Sequence, residues 1–165
     1  MNDELRQKAL YFHQQGQLKE AEQLYRLLLD LGNKANQLEP GDAINLGALL
    51  RSQHRYIDAA KHYNHYLYRL ADCPELTINA INAFVDQKNY QHAINIGKEF
   101  NIKHPGNEGV LDSTGRALIA AGQLSEAELL YPQSVWAPRA VLMAAYGYFS
   151  QGYYADSITN LERFL

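Results

Sequence analysis

Apolar residues in the first thirty positions recur at intervals of three and four. Leu5, Ala9 and Phe12 share one face of a first segment, and Leu18, Ala21, Leu24, Tyr25 and Leu28 share one face of a second. That spacing is the signature of amphipathic helices. Gly16 lies between the segments and suits the left-handed residue that ends a helix. The pattern predicts a helix, a tight turn and a helix, and the same unit then returns along the chain. First helices are expected at about 2–15, 41–53, 75–87, 107–121 and 138–151, second helices at about 18–31, 56–71, 90–103, 125–131 and 154–165. No strand is expected.

The recurrence is visible in the residues themselves. Gly16-Gln-Leu-Lys-Glu-Ala21-Glu-Gln-Leu-Tyr25 returns as Gly122-Gln-Leu-Ser-Glu-Ala127-Glu-Leu-Leu-Tyr131. Weaker copies are centred on Ala59, Ala93 and Ser157, so the anchors Ala21, Ala59, Ala93, Ala127 and Ser157 are 38, 34, 34 and 30 residues apart. Twelve residues before each anchor is a second slot, held by Ala9, Gly47, Ile81, Gly115 and Ala145. Small residues at both slots let two helix axes approach closely. Tyr25, Tyr63 and Tyr131, four residues past an anchor, are expected to be core and to fill space toward the next copy. The turns are marked by Gly16, His54-Arg55, Lys88-Asn89, Gly122 and Gly152. The long 38-residue step is expected to place extra residues around Gly32–Pro40. The short 30-residue step follows Pro132, which should end or kink the second helix of the fourth copy.

Ala43-x-x-Leu46-Gly47-x-x-Leu50, followed by Ala59-x-x-x-Tyr63 and Pro74, resembles the tetratricopeptide repeat, as does His104-Pro105 closing the third copy. The resemblance covers residues 2–165. It implies an all-α fold, a right-handed α-solenoid of about five helix-turn-helix repeats, with first helices lining the concave face. The repeats fall at about 2–37, 40–73, 74–107, 108–137 and 138–165 in a single domain. Copy three departs from the pattern. Ile81 fills a small slot and Gly97 an aromatic one, so its helix geometry is expected to be loosened. The chain stops at Leu161-Glu-Arg-Phe164-Leu165 inside a second helix. A solenoid needs polar caps, so the expectation is a piece of a longer protein, or a last repeat covered by a partner or a second copy.

Composition narrows the function. Fifteen Lys and Arg against eighteen Asp and Glu, a net charge of -3, do not make a nucleic-acid binder. One cysteine, Cys73, excludes an internal disulfide framework. No apolar run approaches the ~18 residues of a membrane span, and Met1-Asn-Asp-Glu-Leu-Arg lacks a signal peptide's apolar core. A cytoplasmic protein without membrane contact is expected, and no cofactor.

The repeat register assigns the inward-facing side chains. They are Arg6, Gln7, Leu10 and His13; Ile44, Asn45, Ala48 and Arg51; Ile78, Asn79, Asn82 and Val85; Asp112, Ser113, Arg116 and Ile119; Leu142, Met143, Tyr146 and Phe149. Asn45 and Asn79 occupy equivalent slots. A carboxamide both donates and accepts, so it can pair with an extended peptide. Such a ladder resembles the inner surface of the repeat domain in O-linked N-acetylglucosamine transferases, though a merely solvated polar face accounts for it equally. The carboxylate clamp of chaperone-binding members is not matched: Arg6 is followed by Leu10, and Glu75 has the wrong sign. His62 and His65 stand at a spacing metals use, but no Cys or carboxylate pair joins them, so they read as surface histidines. Tyr66, Tyr68, Tyr153 and Tyr154 read as solvent-facing. No nucleophile elbow or phosphate loop is present, and no catalytic or metal-binding residue is assigned.

These features describe an interaction module holding a protein or peptide partner in its groove. Two alternatives stand beside it. One is the substrate- or partner-selecting arm of a larger bacterial transferase, which the opening Phe12-His-Gln-Gln-Gly-Gln-Leu-Lys-Glu-Ala-Glu-Gln-Leu-Tyr-Arg resembles. The other is a homodimer through the last repeat.

Overall fold

A computed structural model describes residues 2–130 and 137–164. It contains helices α1 (Asn2–Gln14), α2 (Leu18–Ala35), α3 (Pro40–Ser52), α4 (Tyr56–Leu67), α5 (Pro74–Asp86), α6 (Tyr90–Lys103), α7 (Glu108–Ala120), α8 (Leu124–Leu129), α9 (Ala137–Ser150) and α10 (Tyr154–Phe164). No strand occurs among the described residues. The chain divides into two compact units, Met1–Ala83 and Phe84–Leu165, with the boundary inside α5. In the first unit α1 packs on α2, α2 on α3 and α3 on α4; in the second α6 packs on α7, α7 on α8 and α9, and α9 on α8 and α10.

The small slots meet as the spacing requires. Ala9, Ala21, Ala59, Ala93, Ala127 and Ala145 are buried, and so are Gly47, Gly115 and Ser157. Each hairpin turns in the same way. The residue five before the anchor has a left-handed backbone, whether it is Gly16, Gly122 or Gly152 or the non-glycines His54 (φ 59°) and Lys88 (φ 62°). In each turn two backbone N–H groups close back on the preceding helix, as where His54 donates to the Arg51 carbonyl and Arg55 to that of Leu50. This is the Schellman arrangement, which satisfies carbonyls the helix leaves open.

The extra residues of the long step lie around Gly32–Pro40, as expected, and are mainly helix. α2 runs on to Ala35 and is capped by left-handed Asn36, with Gln37 N–H donating to the Gly32 carbonyl. Helix α4 ends at Leu67, earlier than residue 71, where Arg69 and Leu70 N–H both turn back to the Tyr66 carbonyl. Tyr25 and Tyr63 are core: each reaches into its own hairpin, and Tyr25 also borders the next copy, beside Glu39 and Asp42. The Tyr63 hydroxyl donates to the Ile44 carbonyl at 3.1 Å, with its ring against Gly47. The Tyr25 hydroxyl lies 3.3 Å from His13 Nδ1 on α1. Finally, α6 is not loosened at Gly97. A β-carbon there would stand 2.9 Å from Cβ and Cγ2 of Thr114, so α7 supplies the volume that the missing aromatic would have filled. The roles expected of Tyr131 and Pro132 lie outside the described residues, although α8 stops at Leu129, three residues before that proline.

Candidate functional site

In the second unit, one face of α7 meets α9 and α10 around a groove of about 650 Å³. Asp112, Arg116 and Ile119 come from α7; Leu142, Ala145, Tyr146 and Phe149 from α9; Ser157 and Leu161 from α10. The spacings explain the convergence. Residues 112, 116 and 119, and 142, 146 and 149, are each one helical turn apart and share a face. Six residues assigned inward from the repeat register, Asp112, Arg116, Ile119, Leu142, Tyr146 and Phe149, therefore line one hollow. The groove is mainly apolar, and its aromatics are exposed, Tyr146 at 69% and Phe149 at 59%. Arg116 is exposed and makes no ion pair or hydrogen bond among the described residues. A cation beside apolar walls can take a segment that combines apolar side chains with a carboxylate. Ser113, also expected to face inward, is instead buried, and its Oγ has no hydrogen-bond partner among the described residues.

In the first unit Arg6 and Asn45 line a smaller hollow of about 200 Å³ with Leu10, Tyr25, Glu39 and Asp42. Arg6 is not a free groove cation. Its Nε and Nη2 donate to the Asp42 carboxylate at 3.0 and 3.1 Å, and its Nη1 to Asp3 at 3.0 Å. Asp42 is buried, so this pair ties α1 to α3, and the hydrogen bonds to Asp42 raise the Arg6 pKa. Sequence reasoning missed Asp42. Its one signal is an acid in the first turn of a helix opened by Pro40, a position that the helix dipole favours. Gln7 is exposed, and Arg51, Asn45, Asn79 and Asn82 are half-buried. Asn79 Nδ2 donates to the Glu75 carbonyl at 2.8 Å, which leaves its oxygen for other contacts. His13 is half-buried, edge-on to the Tyr25 ring.

The histidines separate. His65 is exposed, whereas His62 is half-buried. Its Nε2–H donates to the Ala43 carbonyl at 2.7 Å, and its ring lies against Tyr63 and Tyr66. Burial pulls its pKa below the ordinary value, and Arg26 and His65 add to this, against the opposing effect of the Ala43 bond. Tyr66 is likewise buried rather than solvent-facing, whereas Tyr68, Tyr153 and Tyr154 are exposed. With Arg26, Arg55 and Lys61 the two histidines edge a basic hollow of about 380 Å³ that sequence reasoning also missed. Its arginines are engaged, since Glu22 accepts from Arg26 Nη2 at 2.7 Å and from Arg55 Nη1 at 2.8 Å. Among the described residues no three His, Cys, Asp or Glu side chains gather as a metal site. No helix among them is long and apolar enough to cross a membrane.

A tetratricopeptide repeat protein from Parabacteroides merdae is 21% identical and superposes with a TM-score of 0.78, over 99% of this chain and 65% of its own length. The chain has the tetratricopeptide repeat fold. This all-α solenoid fold is shared by MamA (TM-score 0.74, 14% identity, 99% of this chain and 90% of that one). A thermophilic tetratricopeptide repeat protein of Thermus thermophilus shares it too (TM-score 0.65, 14% identity, 100% and 90%). The model of the family described as YfiO, outer membrane lipoprotein, matches residues 112–165, the stretch holding the groove. No curated protein matches the sequence. The repeat chain spans 65% of the Parabacteroides structure.

Proposed function

We propose that this repeat scaffold is a non-catalytic interaction module that holds a segment of a partner protein against the face made by α7 and α9. One observation carries the reading: an exposed cation, Arg116, stands beside the exposed Tyr146 and Phe149 in a groove of about 650 Å³. Exposed aromatics beside a cation are the residues that dominate binding energy at protein interfaces. Within the first unit, Gln7, Asn45, Asn79 and Asn82, with Arg51, are polar groups suited to a peptide backbone. Cytoplasmic residence belongs to the same reading, and cell fractionation tests it against the outer membrane named in the description of the partly matching family.

The test is capture from the source cell by the wild-type chain and by an Arg116→Glu/Tyr146→Ala variant of equal helicity. A partner retained by the first and lost by the second is the expected result. Equal capture by both refutes a role for this groove. An Asn45→Ala/Asn79→Ala variant, read beside them, measures the part played by the carboxamides.

A further inference from the structure

The basic hollow of the first unit plays no part in partner capture by the α7–α9 face. It holds about 380 Å³ and draws its lining from α2, α3, α4 and the turn before α4. We infer that this hollow is a binding site for a small phosphate monoester.

Charge is the first argument. Arg26, Arg55 and Lys61 line the hollow, and Asp58 is the carboxylate among its described lining residues. Three cations therefore face one acid, in a chain whose net charge is -3. That acid is already held, since Asp58 accepts from Arg55 Nε at 2.9 Å.

The second argument is how the donors are held. Glu22 accepts from Nε and Nη2 of Arg26 at 3.0 and 2.7 Å and from Nη1 of Arg55 at 2.8 Å. Burial favours the neutral form of Glu22, but hydrogen bonds and charge from the two arginines prevail and hold its pKa below the ordinary value. Glu22 therefore stays ionised and fixes both guanidinium planes. Nη1 of Arg26 and Nη2 of Arg55 make no hydrogen bond among the described residues. Lys61 and His65, one turn apart on α4, are exposed and make none either.

The donor set separates the ligand classes. A phosphate monoester brings three strong acceptor oxygens and nearly two negative charges, where a carboxylate brings two oxygens and one charge. The hollow is larger than a bare phosphate needs, and Leu50 and Tyr66 give an organic group an apolar wall. An extended polyanion fits less well, because Glu22 and Asp30 on α2 and Asp58 on α4 would repel it.

NMR titration of the full 165-residue chain tests the site, with phenyl phosphate as the probe and inorganic phosphate and acetate beside it at matched ionic strength. Phenyl phosphate should shift the α4 amides and the His65 ring saturably, with a dissociation constant of about 1 mM or below. Inorganic phosphate should bind more weakly, and acetate should not saturate. Lys61→Glu/His65→Gln should weaken phenyl phosphate binding at least tenfold with an unchanged thermal melt, since both side chains are exposed. Arg116→Glu, in the second unit, should leave it unchanged. Shifts that acetate reproduces, or binding that the double variant retains, overturn the inference. Inorganic phosphate bound as tightly as the ester overturns the assignment to a monoester. Flotation with phosphatidylglycerol vesicles tests the other source of phosphate: chain carried up by vesicles, and released by the same double variant, would give the hollow to a lipid surface instead.

Discussion

Gly47→Ala should destabilise the first unit, although alanine is the better helix former. A β-carbon at Gly47 would stand 2.5 Å from both Cε1 and Oη of Tyr63, and closer still to Cζ. The ring cannot step aside, because Tyr63 is 0% exposed and its hydroxyl is bound to the Ile44 carbonyl. Overpacking of this kind costs about 1–3 kcal/mol, and displacing the phenol forfeits about 1 kcal/mol of hydrogen bonding. Helix propensity returns roughly 1 kcal/mol. The net loss is about 1–3 kcal/mol, or a fall in Tm of about 2–12 °C for a chain of this size. Circular dichroism melts measure it directly. A Tyr63→Leu background removes the clash, and there Gly47→Ala should be neutral or stabilising, giving a coupling energy of at least about 1 kcal/mol in the cycle. A Gly47→Ala Tm at or above wild type would refute the packing argument.

Three further outcomes follow from the same structure. His54→Gly and Lys88→Gly each relieve a left-handed non-glycine, and each should raise the urea midpoint by the equivalent of about 1 kcal/mol. Arg6→Ala should cost more than Asp42→Ala, about 3 against about 1 kcal/mol, because only the first leaves a buried carboxylate unpaired; equal urea midpoints would count against that asymmetry. His62 has its pKa lowered by folding from 6.5, so the unfolded chain takes up the proton first. Its contribution is complete above about pH 6.5 and is lost as the pH falls through the lower folded value. Urea midpoints at about pH 7.5 and 5.5 should therefore differ, and by less in His62→Gln.

Much of the fold was legible because repetition tests every inference several times. His54 and Lys88 do not look like turn residues alone, yet each stands five before an anchor, where the other copies have glycine. The groove residues of α7 and α9 were found by the same register. What escaped depends on contacts that do not repeat. Arg6 and Asp42 are 36 residues apart and have no counterpart pair in the next copy, so the ion pair leaves no period to detect. Thr114 fills the space beside Gly97 from the following helix, an exchange of volume between positions that a one-copy pattern treats separately. Tyr66 looked solvent-facing because its cover includes His62 and His65 of its own helix, polar residues that conceal an aromatic cluster.

The length of α2 sets how this chain tolerates insertion and deletion. Its long step is taken up mainly by continued coiling, which ends where Gln37 closes onto Gly32 and Leu38 lies against that glycine. Four residues advance a helix by about 400°, a little over one revolution, whereas two rotate it by about 200°. Removing four of the five residues Leu31–Ala35 would shorten the rod and still deliver Leu38 to nearly the same side. Removing two would swing the exit of the chain to the opposite side and strand α3. Natural or engineered length variants at this point should survive in whole revolutions and fail at half ones.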